Sequence, residues 1–135
     1  MLKLLPNITF YYFFPIIKIT QPMPEHKENR IIHEKISPDF ERSIAHLENL
    51  MVVVCHFKNG PMEKADPPHS HLHEQITYIA EGELFFYKDK EEFRLKTGDL
   101  ITVPSGVPHT IKTLSTYVRL IDSFNPIRED FLKED

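Results

Sequence analysis

From residue 30 onward the chain is cut into short apolar or alternating runs by turn-forming residues, and this punctuation favours strands over helices. "NLMVVVCHF" (49 to 57) is a β-branched run, and "QITYIA" (75 to 80) passes through Glu81-Gly82 into "ELFFYK" (83 to 88). Gly82 is therefore the expected positive-φ residue of a tight hairpin. Asp89-Lys90-Glu91-Glu92 reads as the charged tip of the next hairpin, leading into "EFRLKT". "TGDLITVPSGVPHTIKT" (97 to 113) combines a Gly-Asp turn, a short strand, a Pro-Gly loop and a strand that opens at His109, and "TYVRLIDSF" (116 to 124) supplies a last strand. Eleven prolines suit a fold of many turns and edges. One helical segment is expected within 38 to 50, where Phe40, Ile44 and Leu47 share a helical face.

A chain of 135 residues with 41% hydrophobic residues supports one domain with a single core. Sixteen Lys plus Arg against twenty Asp plus Glu leave a net charge of -4 without a basic run, which argues against nucleic acid as a partner. The one cysteine, Cys55, excludes an internal disulfide, and its apolar flanks make it a core residue. The first twenty-two residues are apolar and aromatic, but Pro6, Asn7, Thr9 and Pro15 interrupt any signal or spanning helix. Residues 1–22 are an N-terminal extension open to three readings, an added strand, a weak export signal or translated sequence ahead of a start at Met23, of which the last is favoured, and a single domain is expected at 23–135. A cytoplasmic protein without a membrane partner is expected.

"PPHSHLHEQ" (67 to 75) places His69, His71, His73 and Gln75 at every second position. In a regular extended strand these side chains share a face. Imidazoles with an amide oxygen suit a divalent transition ion, and His109, beyond the Pro-Gly loop, is the candidate that would complete the set.

The stretch His69-x-His71-x3-Gln75-x6-Gly82 resembles the first motif of the cupin superfamily, and Gly98-x5-Pro104-x-Gly106-x2-His109 resembles the second. The resemblance spans residues 48–124. It implies an all-β fold, a double-stranded β-barrel of jelly-roll type with a short N-terminal extension, holding one divalent metal ion (nickel, zinc, iron or manganese) through His69, His71, Gln75 and His109. His73, one step outside the ligand spacing, is expected to support the ligands through a hydrogen bond or line the barrel wall. Gln75 stands where many cupins carry Glu, which leaves all four ligands neutral and the ion a stronger Lewis acid. Thr113 stands where Asn often ends the second motif.

The finer pattern, with its tail "DSFNPIREDFL", resembles the small single-domain cupins that linearise 4,5-unsaturated uronates in pectin and alginate breakdown, a group in which Gln is the usual fourth ligand. That resemblance implies Asp122 as the acidic residue beside the metal, Phe124 as a neighbouring aromatic and Arg128 as a substrate-binding arginine. Read alone, Asp122 would face solvent, Phe124 would join the core and Arg128 would pair with Glu129 or Asp130. Arg119 is an alternative anion binder. The expected activity is ring opening and ketonisation of a small sugar acid. A non-haem dioxygenase with the same ligands and a non-enzymatic sugar-binding or sensory cupin are the competing readings, and a homodimer paired through strand edges is expected.

Overall fold

The computed structural model describes residues 31–133, so the readings of residues 1–22 and of Met23 lie outside the described residues. Nine strands follow one another: β1 (Ile32–Ser37), β2 (Phe40–His46), β3 (Met51–Phe57), β4 (Glu74–Glu81), β5 (Glu83–Lys88), β6 (Glu91–Lys96), β7 (Leu100–Val103), β8 (His109–Thr113) and β9 (Val118–Asn125). A single 3-10 turn, Glu129–Phe131, closes the described chain. The strands form a six-stranded sheet in the order β1-β2-β3-β9-β4-β7 and a three-stranded sheet in the order β6-β5-β8. All pairings are antiparallel. No described helix is long and apolar enough to cross a membrane.

The segment expected to be helical is a strand instead. Phe40 and Ile44 are four apart, a spacing that serves a helix and also two positions on one face of a strand. Pairing decides between them: every residue of β2 from Phe40 to His46 has a partner on β3, and Ile44 is fully buried against Val53. Leu47, the third member of the supposed helical face, is 65% exposed in the turn to β3. The charged tip after β5 is likewise shorter than expected, because Glu91 and Glu92 pair with Lys88 and Tyr87 and leave the turn at Asp89-Lys90.

Alternation on β2, β3, β9, β4 and β7 sends one row of side chains inward. Register places Ile44, Val53, Asp122, Thr77 and Ile101 in one row across the sheet, with Arg42, Cys55, Leu120 and Ile79 in the next. Leu84 and Phe86 of β5 are buried with them. Gly82, between β4 and β5, has φ +86, and a Cβ there would come within 2.4 Å of the Tyr117 carbonyl oxygen. This hairpin therefore requires glycine both for its backbone conformation and for its close approach to the β8–β9 connection.

Candidate metal centre

Residues 69 to 73 are not a regular strand. β4 begins only at Glu74, and Leu72 and His73 form a bend, with Leu72 81% exposed. Strand alternation therefore does not aim the first two histidines. His69 is instead held by an isolated antiparallel bridge to His109, with backbone N–H to O distances of 3.1 and 2.9 Å in the two directions. The Gly106 N–H donates to the His71 carbonyl at 2.8 Å, so the Pro-Gly loop clasps the His69–His71 segment. Gly106 has φ +77, the conformation the loop needs and glycine adopts at low cost. These backbone contacts bring together imidazoles nearly forty positions apart. The ring nitrogens of His69, His71 and His109 offered as ligands all lie within 4.8 Å of one another.

Proton counting assigns the tautomers. His71 Nδ1 lies 3.0 Å from the His73 carbonyl and His109 Nδ1 lies 2.9 Å from the Val107 carbonyl. A carbonyl only accepts, so each Nδ1 carries the hydrogen and each neutral ring keeps a lone pair on Nε2. Burial pushes the pKa values of His69, His71 and His109 down, and the Arg128 charge adds to the effect on all three, which keeps the rings neutral. His71 Nε2 nonetheless sits 3.1 Å from Gln75 Oε1. Two acceptors converge there with no proton to share, the arrangement a cation relieves and a donor set for a divalent transition ion provides. Packing orders the rings: His71 stands edge-on to Phe124 at 5.7 Å and His109 stacks on Phe86 at 6.0 Å.

Gln75 is buried on β4, and its Nε2 donates to Thr77 Oγ1 at 2.9 Å. Thr77 in turn donates to Asp122 Oδ1 at 2.6 Å, while Asp122 Oδ2 faces the Cys55 thiol at 3.8 Å. Burial pushes the Asp122 pKa up to about 6, against the hydrogen bonds from Thr77, Cys55 and Gln75 and the attraction of Arg128. The same burial raises the Cys55 thiol well above its usual range, in keeping with a core residue and not a nucleophile.

A cavity of about 800 Å³ is lined by His69, Gln75, His109, Asp122, Phe124 and Arg128 among others. Arg128 donates to both carboxylate oxygens of Asp130, at 3.1 and 2.6 Å, as its local sequence allowed, yet its guanidinium also stacks over Phe131 at 4.0 Å and faces the cavity. Arg119 is placed elsewhere. It is three positions from Asp122 on β9, an odd step that points it to the outer face, and it pairs with Glu81 at 3.6 Å. Its reading as an anion binder in this site is corrected accordingly. His73 supports the cluster through its backbone carbonyl, whereas its buried Nδ1 has no partner among the described residues. Sequence reasoning missed Arg42. It faces inward from β2, pairs with Glu34, stacks over Phe131 at 3.9 Å and lines the same cavity.

Comparison with known proteins gives the same outline. The cupin domain family model matches residues 56–124. The pectin degradation protein KdgF of Dickeya dadantii (strain 3937) is 37% identical over 86 residues, covering 63% of this chain and 76% of that protein. Among solved structures, KdgF from Halomonas sp. superposes with a TM-score of 0.66 at 30% identity, covering 74% of this chain and 90% of that one. A RmlC-like cupin from Shewanella frigidimarina NCIMB 400 also superposes with a TM-score of 0.66, at 33% identity, covering 76% and 89% of the two chains.

Proposed function

This chain belongs to the cupin domain family, and on that premise we propose that it is a metal-dependent isomerase that opens and ketonises a small unsaturated sugar acid of the 4,5-unsaturated uronate type. The observation that carries this reading is the meeting of unshared lone pairs from His71 and Gln75, with Gln75, His69 and His109 lining a cavity that also holds Asp122 and Arg128. Similarity to two proteins named for pectin degradation or as KdgF supports the substrate class.

His69, His71, His109 and Gln75 would hold the ion. A divalent ion bound there supplies Lewis-acid stabilisation of negative charge developing on a substrate oxygen. The remaining work falls to the chain. Arg128 offers a planar guanidinium that pairs with the substrate carboxylate, and Phe131 keeps that plane fixed by stacking. Phe124, buried beside His71, restricts where the sugar ring can lie.

The reaction moves protons without net change. The anomeric hydroxyl loses its proton, the ring C–O bond breaks to leave an aldehyde and an enolate, and one proton is delivered to the former alkene carbon as the enolate becomes a ketone. Asp122 is the group to accept and return that proton. A carboxyl with a pKa of about 6 is close enough to neutrality to do both. Its Oδ1 is fixed by Thr77, while the Cys55 thiol facing Oδ2 is a weak donor at long distance.

The test follows the ultraviolet absorbance of an unsaturated uronate with nickel-loaded protein, beside an oxygen electrode. Faster loss of absorbance than the spontaneous rate, with no oxygen consumed, is the expected result. Oxygen uptake would assign a dioxygenase, and an unchanged spontaneous rate would leave a binding protein.

A further inference from the structure

We propose that Thr77 is a positioning residue that fixes the Gln75 side-chain amide with Oε1 toward the histidine triad, and so makes glutamine the residue that fits position 75. The inference rests on the reading of Gln75 as part of the metal site. It concerns a residue outside the triad that is not one of the fixed positions of either sequence motif.

The argument is one of proton inventory. Thr77 is fully buried, so its hydroxyl has no water to turn to. That hydroxyl has one hydrogen, and it is committed to Asp122 Oδ1 at 2.6 Å. Whatever Gln75 presents to Thr77 Oγ1 must therefore donate. Only the amide nitrogen can, and it does so at 2.9 Å. The oxygen is then directed to the opposite side, 3.1 Å from His71 Nε2. A flipped amide would leave the carbonyl oxygen against an acceptor at Thr77 and put an N–H among the ligand nitrogens.

Two structural facts keep the chain rigid. Gln75 and Thr77 alternate inward on β4, whose backbone is paired on both sides, with Val103 and Phe124 opposite Gln75 and with Ile101 and Asp122 opposite Thr77. All three members of the chain thus lie on central strands and not on loops. Glutamate at position 75 would have no hydrogen for Thr77. It would either face an acceptor or take the Thr77 hydrogen away from Asp122, and it would set a second carboxylate beside the first.

The test uses the full chain in two measurements. In metal-free, isotope-labelled protein, the Gln75 Nε2 hydrogens should show nuclear Overhauser contacts to the Thr77 methyl and slowed exchange with solvent. Exchange should be faster in Thr77→Val than in the unsubstituted protein and stay slow in Thr77→Ser. Contacts from those hydrogens to the His71 and His109 rings instead would overturn the proposal whether or not the protein binds metal. Titration with nickel should then give a roughly 10–100-fold weaker affinity for Thr77→Val, with Thr77→Ser close to the unsubstituted protein. Equal affinity for Thr77→Val would overturn the positioning role while leaving the metal site standing. Failure of the unsubstituted protein to bind any divalent transition ion would instead remove the metal reading, and the amide contacts would still decide the orientation of Gln75.

Discussion

Asp122 should destabilise the metal-free protein at neutral pH, and Asp122→Asn should reveal by how much. The folded pKa of about 6 stands some two units above the ordinary value of 3.8, because burial outweighs the help of Thr77, Cys55, Gln75 and Arg128. Each unit corresponds to about 1.4 kcal/mol, so the charged carboxylate costs the folded state up to about 3 kcal/mol. The direction follows from proton binding. Between pH 3.8 and 6 the folded chain holds the proton more tightly than the unfolded chain, so stability falls as pH rises through this window and the full cost is present above it. Asparagine keeps an oxygen to accept from Thr77 and removes the charge.

Urea denaturation in excess chelator measures the effect. Other titrating groups cancel when the two proteins are compared at the same pH. Asp122→Asn should gain little relative to the unsubstituted protein near pH 4 and up to about 3 kcal/mol more at pH 8, on the order of 10 °C in melting temperature. Catalysis should fall in the same variant. A difference in stability that does not change with pH would refute the claim that a buried, ionised Asp122 carries the cost.

Arg128→Lys keeps the charge but loses the planar stack on Phe131 and the paired contacts to Asp130, so KM for a uronate should rise roughly tenfold or more with a smaller change in kcat. Arg119→Ala should leave both constants unchanged in the same steady-state assay, since its side chain lies on the outer face with Glu81. Gly82→Ala should cost more than Gly98→Ala in thermal denaturation. Both glycines have positive φ, worth about 1–2 kcal/mol to an alanine, but only Gly82 has a carbonyl oxygen 2.4 Å from the added Cβ, whereas nothing lies within 4 Å at Gly98.

The separation between what the chain announces and what it conceals has physical causes. The spacing of His69, His71, Gln75 and His109 was legible because two turn-bounded motifs carried it, and the structure does bring those four side chains together. The reason offered for their alignment was wrong: the chain bends at Leu72-His73, and cross-chain hydrogen bonds to His109 and Gly106 do what strand alternation was expected to do. Such contacts join residues far apart in sequence and leave no local pattern.

The error at 38 to 50 arose from a spacing shared by two periodicities. Arg42, lying between Phe40 and Ile44 on one strand face, broke the apolar alternation that would have exposed the strand. An inward-facing arginine looks, in sequence, like a solvated one, and its stack on Phe131 and its place in the cavity lining distinguish it. Thr77 was illegible for a similar reason, because a buried threonine in an alternating strand is indistinguishable from packing until its hydrogen-bond partners are known.

The most direct test of the central claim is the product formed from a 4,5-unsaturated uronate by nickel-loaded protein in deuterated water, followed by NMR. The account predicts loss of the alkene signal faster than in the chelator-treated control, a new ketone carbon, and deuterium at the former alkene carbon. An alkene that persists at the spontaneous rate would contradict it.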